Sequence, residues 1–178
     1  LEGLELATIK ILQPAKEKGV ANLRRQTDLW QYLPKVDRMV RIPSSMMLQN
    51  WMGSDFSNDD MVKSSSLVRD YKHKLVKKEG AGKNTVWLIE STPKPSLPVA
   101  WKKINLYVRE GDAATLKREF ISEKNEVVKI LVGKKFKTFG DKTFPTLLEM
   151  TNPKKPGTKT TIEYSDVVFD AQISEETF

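Results

Sequence analysis

Apolar and polar residues alternate over many short runs of this chain, the period-two signature of half-buried β-strands. Residues 102–109 show it most cleanly: Ile104, Leu106 and Val108 fall on one face, and Lys103, Asn105, Tyr107 and Arg109 on the other. Earlier strand-like runs cover residues 4–12, with Leu4, Leu6, Ile9 and Ile11, then 20–25 and 29–33, where Trp30 and Tyr32 share a face. Pro14-Ala15-Lys16-Glu17-Lys18-Gly19 and Thr27-Asp28 read as the turns between them. Pro34 closes the third run, after which Val36, Arg38, Val40 and Ile42 alternate with Asp37, Met39 and Arg41. Residues 67–78 and 85–90 make a predicted hairpin around Glu79-Gly80-Ala81-Gly82-Lys83-Asn84. Glu110-Gly111-Asp112 then turns the chain into Leu116, Arg118 and Phe120, and residues 127–132, 143–151 and 158–165 complete the set. Asn152-Pro153-Lys154-Lys155-Pro156-Gly157, between the last two, is a strong turn signal. About ten or eleven strands in meander order, interrupted once, predict an antiparallel all-β barrel or strongly curved sheet. There is no internal repeat and no low-complexity linker, so residues 1–178 read as a single domain.

The interruption is the part that is not strand. No charged residue occurs from Ile42 to Ser54, although 30% of the chain is charged, and Met46, Met47, Leu48, Trp51 and Met52 lie inside that window. Unbranched thioethers adapt to irregular apolar shapes, which suits either a core gap or a surface that meets variable greasy ligands. Gly53 breaks the run, and Ser57 followed three residues later by Asp60 is a capping-box start, with Asn58 and Asp59 adding polarity to the first turn. The pattern predicts a short apolar lid-like turn, a hinge at Gly53, and a second short helix ending near Ser65.

Composition narrows the chemistry. At 178 residues with 39% hydrophobic content, the chain is long enough to bury a real core. No stretch approaches the 18 consecutive apolar residues of a membrane-spanning helix. Leu1 opens inside a strand-like run, so a further segment upstream, such as a signal peptide, is expected. With no cysteine there are no disulfides, thiolate metal sites or cysteine nucleophiles. A formal charge of +7 invites a nucleic-acid reading. Against it, Lys77, Lys78, Lys134, Lys135, Lys137, Lys154, Lys155 and Lys159 fall in or beside Gly, Pro and Asn turn signals, which predicts scattered, solvated loop tips. An anionic membrane or an acidic partner remains an alternative.

Local motifs do not add up to a catalyst. Ala81-Gly82-Lys83-Asn84-Thr85 resembles the end of a phosphate-binding loop, but Lys77 stands where that motif needs its first glycine and Asn84 where it needs Ser or Thr. The acidic run from Asp55 has Asp60 and Ser66 where a calcium loop needs Gly and Glu, so helix capping accounts for it better. His73 is the single histidine, expected on the outer face of a basic strand and without a nucleophile motif to serve. No catalytic residue, metal site or cofactor is assigned. What remains is aromatic and Met density: Trp30, Tyr32, Met39, Met46, Met47, Trp51, Met52, Phe56 and Met61. Plain core packing explains any one of them; together they suggest an apolar site on the concave side of a curved sheet.

Leu12-Gln13-Pro14-Ala15, Lys18-Gly19, Leu29-Trp30-Gln31-Tyr32-Leu33-Pro34, Arg38, Arg41-Ile42 and Met52-Gly53-Ser54-Asp55-Phe56 together resemble the outer-membrane lipoprotein-sorting family, the LolA-like superfamily of Gram-negative bacteria. The resemblance covers nearly the whole chain. It implies an unclosed antiparallel β-barrel with helices plugging its concave side, in a secreted periplasmic protein, with an N-terminal helix and first strand ahead of Leu4. It further implies a carrier or sensor for a lipid or an acylated lipoprotein, or a non-enzymatic adaptor docking an inner-membrane transporter or another envelope protein through the same apolar surface. The ligand-lining residues would be Trp30, Tyr32, Met46, Met47, Leu48, Trp51, Met52, Phe56 and Met61, with Gly53 as hinge. No position here matches by motif the arginine that bonds the lid closed in LolA itself.

Overall fold

A computed structural model describes residues 6–25, 28–63, 67–95, 97, 99–169 and 171–174. The chain is mainly β, with eleven strands and two short helices among these residues. They fall into two compact units, residues 1–65 with 170–178 and residues 66–169.

The first unit holds a four-stranded antiparallel sheet in the order β1 (Leu6–Lys10), β2 (Ala21–Arg25), β3 (Asp28–Leu33) and β4 (Arg38–Arg41). Asp28 already belongs to β3, whereas Thr27, its predicted turn partner, and Leu4, in the first predicted run, lie outside the described residues. Two short 3-10 turns, Ser44–Met46 and Trp51–Gly53, precede α1 (Asn58–Lys63), which packs on β3. The predicted helix end at Ser65 falls outside the described residues.

The second unit begins with α2 (Leu67–Asp70), a turn of helix where alternation predicts strand. Distant groups stabilise it: the Lys94 amide donates to the Asp70 carbonyl at 2.9 Å, and Lys94 Nζ donates to the Arg69 carbonyl at 2.5 Å. A seven-stranded antiparallel meander follows: β5 (Tyr71–Glu79), β6 (Val86–Pro93), β7 (Lys103–Arg109), β8 (Thr115–Ile121), β9 (Val127–Phe139), β10 (Lys142–Thr151) and β11 (Lys159–Glu163). Neighbours pair in sequence order and β5 and β11 remain edges, so this sheet is open, as the unclosed-barrel expectation requires. Register shifts at Leu75/Lys77, Tyr107/Val108 and Phe120/Ile121 are the irregularities that increase twist and bend a sheet.

Register gives this sheet two unlike faces. Ile89, Leu106, Leu131, Leu148 and Met150 share one side with Ile104 and Phe120. The most buried part of that side gathers Tyr71, Ile104, Phe120 and Met150 with Trp101. Trp101 Nε1 donates to the Tyr71 hydroxyl at 3.0 Å, and its ring meets Phe120 edge-on at 4.9 Å. The other side is charged and cross-linked: Lys103 to Glu90 at 2.5 Å, Lys117 to Glu119 at 2.8 Å, and Lys134 and Lys159 to Glu149 at 3.1 and 3.0 Å.

These pairs correct the expectation that the basic clusters sit on loop tips. Lys77 and Lys78 belong to β5, Lys134, Lys135 and Lys137 to β9, and Lys159 opens β11; Lys154 and Lys155 do lie in a turn. Gly133 is the reason the turn signal misleads. A Cβ there would stand 3.0 Å from Pro145 Cβ, 3.1 Å from Phe136 Cζ and 3.1 Å from the Thr115 carbonyl. Its glycine serves close packing within a long strand, not a turn. His73 is exposed, as expected, but not on the basic face. Period two sets it opposite Lys72 and Lys74, in register with Ser91 on the apolar side. Its Nε2 donates to the Leu67 carbonyl at 3.0 Å, and its Nδ1 lies 2.9 Å from the Ser91 hydroxyl.

At the β7–β8 turn, Arg109 Nε and Nη2 donate to the two Asp112 oxygens at 2.9 and 2.6 Å, and the Ala114 amide adds a bond at 3.2 Å. The arginine hydrogen bond chiefly holds the Asp112 carboxyl down, from 3.8 to about 2. A lowered folded-state value means stability present above the ordinary carboxylate pKa and lost as pH falls through the folded one. Asp112→Asn is therefore expected to unfold more easily than the parent at pH 7. The gap should close between about pH 4 and pH 2, as followed by thermal melts across that range.

Candidate functional site

The uncharged segment folds back on itself. The Met47 amide donates to the Ser44 carbonyl at 3.2 Å and the Gln49 amide to Met46 at 3.0 Å, closing the first turn. Asn50 and Ser57 form an isolated antiparallel bridge, across which the Trp51 amide donates to the Phe56 carbonyl at 2.7 Å. Between them Met52 and Gly53 take left-handed conformations, φ 49° and 74°. Gly53 does so freely, whereas a left-handed non-glycine residue costs roughly 1–2 kcal/mol. The strain at Met52 is held by side-chain bonds around it: Ser54 Oγ donates to the Trp51 carbonyl at 2.7 Å, and Asn50 Nδ2 to the Ser54 carbonyl at 2.6 Å.

The expected capping box forms. The Asp60 amide donates to Ser57 Oγ at 3.2 Å, and Asp60 Oδ2 accepts from the Ser57 amide at 2.7 Å and from its hydroxyl at 2.8 Å. This start of α1 is also tied to the preceding turn. Asn58 Nδ2 donates to the Met46 carbonyl at 2.9 Å, and the Asp59 amide to Met47 at 2.8 Å. Among the described residues, no group of three or more acidic or histidine side chains gathers as a cation site.

With its backbone satisfied internally, the segment displays its apolar side chains. Met46, Leu48 and Met52 are 38, 58 and 41% exposed, whereas Phe56 is 6% exposed and anchors the loop. Met47, Trp51 and Met61 are half-buried. Trp51 Nε1 is shut from solvent and finds no acceptor among the described residues. A hollow of about 310 Å³ in the first unit is lined by Glu17, Val20, Gln31, Leu33, Asn50 and Met52. Met52 is the member of the predicted set that lines it. Trp30 and Tyr32 alternate with Gln31 and Leu33 on β3 and so project from the opposite face. There Trp30 pairs with Leu23 and Arg41, and Tyr32 with Ala21 and Met39, while the Tyr32 hydroxyl donates to Asp37 at 2.8 Å. That bond to the carboxylate raises the phenol pKa. The structure therefore brings residues 46–61 together as one displayed loop and sets Trp30 and Tyr32 away from the hollow.

Sequence reasoning missed Arg118. It stands on the apolar side of the seven-stranded sheet, paired directly with Leu106 and Leu131. Its signal was legible as a lone charge in the alternating row Leu116, Arg118, Phe120.

A family model described as that of an uncharacterized protein matches residues 3–178. The chain belongs to this family, DUF1329. Solved structures set the DUF1329 fold among LolA-superfamily folds. A domain described as an outer membrane lipoprotein-sorting protein, from Vibrio parahaemolyticus, is 26% identical with a TM-score of 0.84, over 96% of this chain and 74% of that one. A LolA superfamily protein from Nitrosomonas europaea is 25% identical with a TM-score of 0.74, over 91 and 71%. A DUF1329 family protein from Desulfovibrio piger, 24% identical over 97 and 74%, shares the fold with a TM-score of 0.86. No curated protein matches the chain in sequence.

Removing the Asp60 carboxylate strands the buried Ser57 amide and hydroxyl. Asp60→Ala is expected to lower stability by about 1–2 kcal/mol in denaturant unfolding, with Asp60→Asn recovering part of the loss.

Proposed function

We propose that this DUF1329 protein is a periplasmic carrier or sensor that holds the acyl chain of a lipid or lipoprotein against apolar protein surface. One observation carries the reading. The apolar side of the seven-stranded sheet is incompletely covered, leaving Ile89, Leu131 and Leu148 half-buried without an ion pair beside them, while the half-buried Leu88, Val132 and Leu147 of the opposite side lie among ion pairs. Each methylene removed from water contributes about 0.8 kcal/mol, so a 16-carbon chain carries something like 12 kcal/mol of unfavourable hydration across an aqueous compartment. A protein that shields such a chain needs broad, adaptable apolar surface. The displayed Met46, Met47, Leu48, Trp51 and Met52 supply side chains of that kind, and the left-handed pair Met52 and Gly53 is the place where the loop can change course. The sorting description of the Vibrio parahaemolyticus domain and the superfamily name of the Nitrosomonas europaea protein support the same reading.

A second reading makes the protein an adaptor that docks an inner-membrane transporter or another envelope protein. The exposed edge strand β4, with Met39 and Val40 at 50 and 42% exposure, favours it, since unpaired edges and apolar patches mark protein interfaces.

Native mass spectrometry of protein purified from its own host separates the two. A co-purifying acylated species near unit occupancy supports the carrier; protein that is ligand-free and also ignores a fluorescent fatty-acid probe supports the adaptor. In the same probe assay, Trp51→Asp with Met52→Asp is expected to weaken binding at least tenfold, about 1.4 kcal/mol, while circular dichroism shows the strands intact. Unchanged binding in the double variant removes residues 46–61 from the site.

A further inference from the structure

Most cationic side chains described on the seven-stranded sheet answer a carboxylate. Arg109 grips Asp112, Lys103 meets Glu90, Lys117 meets Glu119, and Lys134 meets Glu149. Arg118 differs. Register sets it directly between Leu106 and Leu131, with Phe120 two residues along the same face and Lys129 paired with Phe120. No carboxylate of the described residues lies within ion-pair distance of its guanidinium. Burial lowers the arginine pKa below its ordinary value, and the nearby Tyr164 phenol opposes that shift. Tyr164 in turn is raised by burial, against the opposing pull of Arg118. The residue nonetheless keeps part of its surface accessible, so a ligand can reach it.

A guanidinium stays protonated at neutral pH, and a desolvated charge without a partner is unfavourable. Its planar fork suits two oxygens of a carboxylate or phosphate. We infer that Arg118 is the anchor for the oxyanion end of an acyl-chain ligand, whose hydrocarbon lies along the Leu106, Leu131 and Leu148 side of the sheet. This rests on the carrier reading and specifies it: the ligand is an anionic amphiphile, a fatty-acid carboxylate or a lipid phosphate, and not a neutral glyceride. Charge complementarity selects that occupant, because an uncharged lipid would leave the arginine as unpaired as before.

Calorimetric titration of the whole chain with oleate, oleoyl lysophosphatidate, monoolein and inorganic phosphate tests it. In Arg118→Met, affinity for at least one of the two anionic lipids is expected to fall tenfold or more, and monoolein affinity to stay within twofold of the parent. Arg118→Lys keeps the charge without the fork and is expected to fall between. Whichever anionic lipid loses more identifies the headgroup. Equal losses for anionic and neutral lipids, or no loss for either anionic lipid while monoolein still binds, overturn the anchor and leave the carrier standing. Inorganic phosphate binding alone as tightly as the lipids, and lost in Arg118→Met, replaces the amphiphile with a free anion. A parent protein that binds none of the lipids overturns the carrier reading and the anchor with it.

Discussion

Antiparallel pairing without a register slip across β9 and β10 is the constraint on which the second unit depends. Nine residue pairs hold those strands together, from Lys142 with Phe139 to Thr151 with Ile130. Because side chains alternate strictly, a slip of β10 by one residue would send Leu148 and Met150 to the charged side and Glu149 to the apolar one. Each cross-strand ion pair therefore stabilises the register as well as itself. Exposed ion pairs contribute little to stability individually, so their role here is chiefly specificity of pairing.

The displayed loop of the first unit obeys a different constraint. Residues 43–57 lack regular strand or helix partners over most of their length, and a backbone of that kind must satisfy its polar groups locally. Short side chains do so: Asn50, Ser54, Ser57 and Asn58 each bond the main chain. That arrangement frees the larger side chains from structural duty. Phe56 turns fully inward, Met47 is half-buried, and Met46 and Met52 face outward. A loop satisfied locally in its main chain and soft in its side chains suits a surface meeting acyl chains of variable length.

Apolar side chains and a lone guanidinium recognise ligands in different ways. Thioether and aliphatic side chains grip hydrocarbon without direction, so they discriminate weakly among chains. A single guanidinium in apolar surroundings discriminates strongly, because an unanswered charge is costly wherever water is scarce. On the carrier reading, the aliphatic side of the sheet accepts the chain while Arg118 selects the head.

Much of this was determined by the sequence alone, wherever the cause is local. Alternation at Ile104, Leu106 and Val108 assigns faces to β7 whatever surrounds it, and the Ser57-to-Asp60 spacing closes a capping box within one turn. Eleven strands and the uncharged break follow from such local rules, and the resemblance in residues 12–56 named the superfamily. Only the tertiary structure decided matters that hinge on residues far apart in sequence. Gly133 sits within a strand because Pro145 and Phe136 crowd it, which makes β9 long and moves its lysines off the loop tips. Residues 67–70 form a helix turn because Lys94 meets their carbonyls. Trp30 and Tyr32 share a face, as alternation demands, but whether that face or its reverse meets the hollow depends on how the loop at Asn50 and Met52 packs. In sequence Arg118 is legible only as a lone charge in an otherwise apolar row. Its lack of a carboxylate partner is a property of its neighbours across two strand pairings, and no local pattern encodes it.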